Sequence, residues 1–422
     1  MNKNSVAIIG LGYVGLPLAI LLKKKKFKIF GFDSNIEVIK KIKSGKSYIS
    51  DISNKEISKL KSEKIYSSEN IQNISKVNYI IICLPTPLKN NKPDMRHIEK
   101  AFKLFLPYLR TRQTIILESS VYPGATKKIF FEDLSKKFDL GNNFFLTYSP
   151  ERIDPGKSQE FTKTKLEKIP KLISGYSPNC LKKIKNFYSK IFDKLHECET
   201  LEIAEFSKLF ENTYRSVNIS LVNEIKMFAN KMNINFHNVI EAASTKPFGF
   251  TKFIPGPGTG GHCIPIDPIF ISWTAKKYKF KTKFIELSAA TNQKVTLWTI
   301  NKIKNYLKKI KNKNKILLLG LTYKKDVCDT RESASIKIFK KIRQMKNTRV
   351  DYYDSYVNSI LINKKLIKSI NFSYKKLKNY DYIVILTDHS NLNYKQIKKF
   401  SKKIIDTRGV YKFSTSDKIL HI

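Results

Sequence analysis

The sequence predicts an α/β fold in which two doubly wound domains are joined by a long central helix. Three features carry that prediction. A short apolar run near the N-terminus feeds a glycine-rich turn and a helical pattern. A stretch from Glu202 to Met232 keeps helical periodicity throughout. The last third then repeats the element order of the first.

The first strand is Val6–Ile9, followed at once by Gly10-Leu-Gly12-Tyr13-Val14-Gly15 and the apolar helical pattern Leu16 to Leu22. A second strand, Lys28 to Phe32, ends in Asp33. Strand, G-x-G-x-x-G, helix, strand and acid follow in the order that a dinucleotide site requires. The glycines permit a tight turn and let a pyrophosphate rest on the helix N-terminus, where unpaired N–H groups point at it. Asp33 is placed to accept hydrogen bonds from the adenosine ribose and to repel a 2′-phosphate, so the expected cofactor is NAD rather than NADP. The run Val6 to Leu22 is too short and too broken by glycine to span a membrane, and it lacks a small-residue cleavage site.

The first half continues as strands that end in polar residues. Tyr79 to Cys83 stops at Pro85-Thr86-Pro87, Thr114 to Glu118 stops at Ser119-Ser120, and Phe144 to Tyr148 leads into Ser149-Pro-Glu151-Arg152. Ligands of open parallel sheets collect at the carboxyl ends of strands, so Thr86, Ser119, Ser120 and Glu151 outline one cleft. Each alone reads as a turn or cap residue.

Between Glu202 and Met232, Phe206, Phe210, Val217, Leu221, Ile225 and Phe228 recur at helical spacings. The length and aromatic content suit a spine joining two domains and offer a dimer surface. Lys208 and Asn212 are four apart and share one face, a pattern that ordinarily marks a solvated pair.

In the last third, Lys315 to Gly320 parallels the first strand, Ser333 to Met345 supplies the helix, and Val350 to Asp354 parallels the acid-ended second strand. Tyr382 to Leu386 and Lys403 to Asp406 complete the set. One glycine, Gly320, stands where the first copy has three. The bulkier basic loop Leu321 to Arg331 suits a nucleotide diphosphate rather than a dinucleotide, so the two domains divide NAD and a nucleotide-linked substrate between them. A degenerate structural domain is the alternative.

The loop Gly256-Pro-Gly-Thr-Gly-Gly-His-Cys-Ile-Pro-Ile-Asp-Pro268 presents Cys263 among glycines and prolines, with Asp267 four residues later. A thiol in such a stiff, closely approachable loop suits covalent catalysis, since the thiolate is strongly nucleophilic. The alternative is an inert cysteine in a structural turn.

Composition narrows the class further. The chain has 422 residues and a net charge of +44, enough length for two or three domains. Its lysines are spread over almost every segment, with no aromatic-interleaved patch, zinc-finger spacing or RNA-binding motif, so the charge is a chain-wide bias and not a nucleic-acid footprint. It favours anionic substrates in general. Cys83, Cys180, Cys198, Cys263 and Cys328 are widely spaced and lack metal-ligand spacing. That usage, with no signal peptide, places the expected protein in a reducing cytoplasm with no bound metal.

Over nearly its whole length the chain resembles the UDP-glucose/UDP-N-acetylhexosamine 6-dehydrogenases. The motifs are Gly10 to Gly15, Ser149-Pro-Glu-Arg152, Ala204-Glu-Phe-Ser-Lys-Leu-Phe-Glu-Asn212, Gly260-Gly-His-Cys263 with Asp267, and Asp329-Thr-Arg-Glu-Ser333. The resemblance implies two Rossmann-like domains about a long central helix: an NAD-binding domain over 1–200, a central dimerisation domain carrying the cysteine loop over 201–300, and a UDP-sugar domain over 301–422. It also implies a homodimer or larger homo-oligomer. The reaction implied is oxidation of a sugar CH2OH to a carboxylate with two NAD used in succession, Cys263 holding the intermediate as thiohemiacetal and then thioester. Lys208 and Asn212 would polarise the substrate oxygen and stabilise the oxyanion. Asp267 would position water as an acid/base, with Glu151 a second carboxylate beside it. Gly10, Gly12, Tyr13, Val14, Gly15, Asp33, Thr86 and Ser120 fall to NAD, with Arg331 reaching its phosphates. Arg152, Gly260, Gly261, Tyr323 and Lys324 fall to the substrate.

Two positions depart from the glucose-type pattern: Val121 replaces a water-holding threonine, and Pro155 replaces a second glutamate. The segments around Arg152 and Asp267 look more like the N-acetylhexosamine branch. Pro255-Gly-Pro-Gly258 and Ile264-Pro-Ile-Asp-Pro268 look most like enzymes acting on UDP-N-acetylglucosamine, which would supply a UDP-uronic acid for surface polysaccharide. UDP-N-acetylmannosamine and UDP-glucose are the alternatives. A single-hydride dehydrogenase of the 3-hydroxyacid or 6-phosphogluconate type would need neither Cys263 nor a second nucleotide-type domain. A basic nucleic-acid-binding protein would rest on charge alone.

Overall fold

The computed structural model describes residues 4–49, 52–153, 165–261, 264–308 and 314–422; Cys263 and Pro155 lie outside the described residues. The chain forms two compact units, Met1–Glu211 with Ile269–Lys281, and Asn212–Pro268 with Thr282–Ile422.

The first unit is built on β1 (Ser5–Ile9), β2 (Lys28–Asp33), β3 (Lys64–Ser67) and β4 (Tyr79–Ile82), then a two-stranded ribbon, β5 (Leu88–Lys89) and β6 (Lys92–Pro93). It continues with β7 (Thr114–Leu117), β8 (Phe145–Tyr148), β9 (Lys171–Gly175) and β10 (Leu195–Glu197). The main sheet runs β10-β9-β8-β7-β4-β1-β2-β3. Its strands are parallel except that β9 meets β8 antiparallel and β10 follows β9. Covered on both faces, β1, β4 and β7 need near-continuous apolar runs, and Val6, Ile8, Ile80, Ile81, Ile115 and Ile116 are fully buried.

The turn after β1 is fixed by contact. Gly10 has φ of 92° and donates its N–H to Phe32 O at 2.8 Å. A Cβ on Gly10 would lie 2.7 Å from the Cys83 carbonyl oxygen, and one on Gly15 would lie 1.9 Å from Gly10 O. Only glycine lets the chain turn here and lets the helix Gly15–Lys24 start against the strand. That helix buries Leu16, Leu18, Ala19, Leu21 and Leu22.

The second unit repeats this plan with β11 (Asn314–Leu319), β12 (Thr348–Tyr353), a hairpin of β13 (Ser359–Ile362) and β14 (Lys365–Lys368), then β15 (Tyr382–Ile385), β16 (Ile404–Asp406) and β17 (Ile419–His421). Its five-stranded sheet, β12-β11-β15-β16-β17, is parallel throughout. Gly320 takes φ of 84° and donates to Tyr353 O at 2.9 Å, as Gly10 does to Phe32.

The helix Leu201–Lys231, the central helix, belongs to the first unit up to Glu211 and to the second from Asn212. Its residues Asn223 and Lys226 grip both peptide groups of Gly256. The Gly256 N–H donates to Asn223 Oδ1 at 3.0 Å, and Lys226 Nζ donates to Gly256 O at 3.1 Å and to Ile422 O at 3.3 Å. The Lys226 ammonium also lies 5.3 Å from the Trp298 ring centroid. The loop that leads to Cys263 is thus tied to the central helix at its first glycine.

Burial pushes Lys226 down from 10.5 to about 7, with Arg408 adding to the effect and Asp406 opposing it. Between about pH 7 and 10.5 the unfolded chain binds a proton that the folded chain lacks, so this group makes stability rise with pH across that window. Lys226→Met removes the rise and leaves two carbonyls without their donor, a cost independent of pH. In urea unfolding at several pH values, the wild type should gain stability relative to the variant across the window. A constant difference between the two proteins would show that Lys226 does not titrate there.

Candidate active site

The carboxyl edge of the first sheet gathers the residues expected there. Thr86, just beyond β4, donates from Oγ1 to Ser120 O at 2.7 Å, and Ser119 Oγ reaches Ile82 O at 3.4 Å. Glu151, beyond β8, accepts the N–H groups of Arg152 and Ile153 on Oε1 at 2.8 and 2.7 Å. The Arg152 guanidinium bonds Glu211 Oε1 at 2.6 Å and Pro170 O at 2.8 Å.

This edge fits a dinucleotide. No heavy atom lies within 4 Å of where a Gly12 Cβ would stand, so the turn has open space over it. The helix Gly15–Lys24 has no side-chain cap and no acidic residue in its first turn, which leaves its positive end available to a phosphate. Tyr13 and Val14 lie in that turn, half-buried. Asp33 is half-buried too and accepts Leu11 N–H at 2.9 Å, which brings its carboxylate to the turn. Tyr48, which the sequence did not single out, donates to Leu11 O at 2.5 Å, and burial together with Asp33 pushes its hydroxyl up.

In the second unit the equivalent acid is used differently. Asp354 is 2% exposed. It accepts Leu321 N–H at 2.6 Å and Thr322 N–H at 3.2 Å, and it meets His389 Nε2 at 3.2 Å. Turned inward, it holds its own loop and presents no carboxylate to a ribose. That loop carries Tyr323 and Lys324, both half-buried. A Cβ on Gly261 would stand 2.8 Å from the Tyr323 ring, and one on Gly260 2.7 Å from Tyr323 Cβ, so the glycine loop lies flat on this tyrosine. The Gly261 N–H donates to Arg331 O at 3.0 Å. The Arg331 guanidinium bonds Asp329 through Nε and Nη2, at 2.6 Å for the latter.

The central helix departs from the sequence expectation. Lys208 and Asn212 are both buried, not a solvated pair. Asn212 Nδ2 donates to Asp267 Oδ2 at 2.5 Å, joining the helix to the residue at the end of the cysteine loop. The apolar stripe is inverted: Phe206, Phe210, Leu221, Ile225 and Phe228 are exposed. The buried face carries a polar row alongside Ala204, Leu209, Val222 and Ala229. Glu205 accepts Gly124 N–H, Thr126 N–H and Thr126 Oγ1, capping the helix Ala125–Ser135. Ser220 bonds Ser288 at 2.9 Å, and Asn223 bonds Asn292 at 3.3 Å. Glu205 lies one helical turn before Lys208, and the sequence reading missed it; a glutamate on the Lys208 face was the available signal.

Among the described residues no helix is long and apolar enough to cross a membrane, and no group of His, Cys, Asp and Glu is arranged to hold a metal ion.

Comparisons with known proteins agree with this architecture. Residues 4–192 match the NAD-binding domain of the UDP-glucose/GDP-mannose dehydrogenase family, 202–294 its central domain and 317–413 its UDP-binding domain. The chain is 32% identical over 366 residues to the UDP-N-acetyl-D-glucosamine 6-dehydrogenase of Pseudomonas aeruginosa, covering 85% of this chain and 84% of that one. It is also 32% identical over 432 residues to the UDP-N-acetyl-D-mannosamine dehydrogenase of Methanocaldococcus jannaschii, covering 97% and 94%. A solved structure of the UDP-D-ManNAc dehydrogenase from Pyrococcus horikoshii superposes with a TM-score of 0.85 at 30% identity, covering 99% of both chains. With all three domains matched in order, this chain belongs to the UDP-glucose/GDP-mannose dehydrogenase family and binds NAD through its first domain.

Proposed function

We propose that the chain oxidises the C6 hydroxymethyl of a UDP-N-acetylhexosamine to the carboxylate, with UDP-N-acetylglucosamine the substrate that its loop sequences Pro255–Gly258 and Ile264–Pro268 favour. The observation that carries the reading is the buried Asn212–Asp267 contact, which brings a helix amide to the end of the cysteine loop. The relatives named for UDP-N-acetyl-D-mannosamine, at equal identity, support the manno epimer as the second reading.

NAD, held at Gly10 to Gly15 and Asp33, supplies the acceptor for the hydride removed at each of the two oxidations. The chain's own groups do the rest. Lys208 places an ammonium at the sugar oxygen, where it stabilises developing negative charge. The Cys263 thiolate adds to the aldehyde carbon, so the aldehyde stays on the protein, and Asn212 with Lys208 holds the resulting oxyanion. After the second oxidation the sugar is a thioester on Cys263. Asp267 and Glu151 then direct water at it and take up its proton. Arg152, Gly260, Gly261, Tyr323 and Lys324 hold the UDP-sugar; Thr86, Ser120 and Arg331 line the NAD side.

The exposed stripe Phe206, Phe210, Leu221, Ile225 and Phe228 supports a homodimer formed along the central helix. Each large apolar side chain covered there contributes about 1.5–3 kcal/mol, set against an association cost of about 4–15 kcal/mol.

The function is tested by counting NADH formed per UDP-sugar consumed, with the gluco, manno and UDP-glucose substrates in parallel. Two NADH per sugar with a preference for UDP-N-acetylglucosamine is expected; one NADH would end the role of Cys263. Cys263→Ser should accumulate a bound intermediate while NAD affinity is unchanged, and wild-type turnover in that variant would remove the covalent step. For the assembly, light scattering should give twice the chain mass for the wild type and the chain mass for Leu221→Glu/Phe228→Glu. A monomeric wild type would refute the dimer.

A further inference from the structure

The glycine turn of the first unit is held by a side chain that lies outside the dinucleotide motif. Gly10 and Leu11 share a peptide whose carbonyl faces the helix start, since a Cβ on Gly15 would stand 1.9 Å from Gly10 O. The other side of that peptide, the Leu11 N–H, donates to Asp33 Oδ2 at 2.9 Å. The next peptide joins Leu11 to Gly12. Its carbonyl, Leu11 O, accepts the Tyr48 hydroxyl at 2.5 Å. Two consecutive peptide planes are thus fixed, one by the acid that ends β2 and one by Tyr48.

A trans peptide is planar, and its C=O and N–H point in opposite directions. With Leu11 O turned to Tyr48, the Gly12 N–H is turned the other way. Leu11 is fully buried, whereas Gly12 is exposed. The Gly12 N–H has no acceptor among the described residues, while Gly12 O accepts Leu16 N–H at 3.0 Å. No heavy atom lies within 4 Å of where a Gly12 Cβ would stand. The turn therefore carries an oriented, unused donor on its open side, beside the uncapped N-terminus of the helix Gly15–Lys24. An anion bound there meets a donor that needs no ordering at the moment of binding.

Tyr48 is itself held in place. It follows the helix Ile36–Ser44, which ends at Gly45 with φ of 70°. On one side of it, Ser47 N–H donates to Asn54 Oδ1 at 2.7 Å. Ser47 Oγ then bridges the tyrosine, donating to Ile49 O at 2.8 Å and accepting Ile49 N–H at 3.2 Å. The ring is half-buried against the core of the first unit. Losing the hydroxyl would leave this segment bonded as before and would free one end of the Leu11–Gly12 peptide.

We infer that Tyr48 is a positioning residue for NAD, fixing the Leu11–Gly12 peptide so that the Gly12 N–H faces the pyrophosphate. The inference rests on the proposed placement of NAD at the Gly10 to Gly15 turn and is independent of which UDP-sugar is oxidised. Tyr48 acts through backbone, so its effect belongs to the part of the ligand that the turn meets.

Tyr48→Phe keeps the ring and removes one donor. Calorimetric titration of the full chain with NAD, ADP-ribose and adenosine reads the consequence. NAD and ADP-ribose, which both carry the pyrophosphate, should bind roughly three- to tenfold more weakly, the worth of one hydrogen bond. Adenosine, which lacks it, should bind as to the wild type. A merely structural tyrosine would lower the unfolding midpoint and leave all three affinities unchanged, which overturns the inference. Equal weakening of all three also overturns it, because the effect would then lie at the adenosine. If Tyr48→Phe does not fold, wild-type protein labelled with 15N-glycine decides. Its Gly12 amide signal, assigned by its loss in Gly12→Val, should shift with ADP-ribose and not with adenosine; an unmoved signal overturns the inference. Titration of Gly12→Val separates the two levels. Wild-type NAD affinity there overturns the placement of NAD at this turn, whereas lost binding there with unchanged affinity in Tyr48→Phe overturns only the role of Tyr48.

Discussion

The buried polar face of the central helix is the constraint on which the rest of the site depends. Glu205, Lys208, Asn212, Ser216, Ser220, Asn223 and Lys226 are all less than a tenth exposed. Burying such a row would be costly if the groups were unpaired. Instead, Glu205 holds the turn before Ala125, Asn212 holds Asp267, and Asn223 with Lys226 holds Gly256. A loop rich in glycine and proline has few side chains of its own to fix it. Directional hydrogen bonds from a rigid helix give it one geometry, which apolar packing against the same helix would not.

The same economy explains why one backbone plan serves two ligands. Gly10 and Gly320 make the same left-handed turn and bond back to the neighbouring strand in the same way. The divergence comes immediately afterwards. In the first unit a helix starts at Gly15 with its N-terminus open, and Asp33 is half-buried at the turn. In the second, the helix waits until Ala334, and Asp354 is drawn under the intervening loop by Leu321, Thr322 and His389. An acid that stands half-buried at the turn in one copy becomes a structural clasp in the other. The two copies differ by a loop, not by a fold.

Not every buried charge in this chain serves the same end. The Asp354–His389 pair closes a loop on itself, whereas Glu118 and Lys171 sit beneath a carboxylate at the open edge of the sheet. Their strands are distant in sequence, and β9 is the strand that reverses direction in the first sheet. Reversal brings the N-terminal residue of β9, a lysine, to the carboxyl edge of its parallel neighbours. A parallel strand would have placed that lysine at the opposite edge, far from Glu151.

The sequence by itself determined the features that local backbone geometry enforces. Glycines at 10, 12 and 15 between a buried strand and an apolar helix have one common use, and Asp33 at the end of the next strand completes it. The repeat of that order after Lys315, and the polar residues ending each apolar run, located both sheets and the edge where Thr86, Ser120 and Glu151 lie. Tertiary structure alone decided which face of the central helix is inside. Helical periodicity reports that a stripe exists, and here the apolar stripe faces outward while a polar one is buried. It alone decided that Asp354 turns inward, and that Lys171, one of many lysines in the sequence, meets Glu118 and Glu151. These outcomes depend on distances between residues far apart in the chain, set by strand order and strand direction, and no local pattern encodes them.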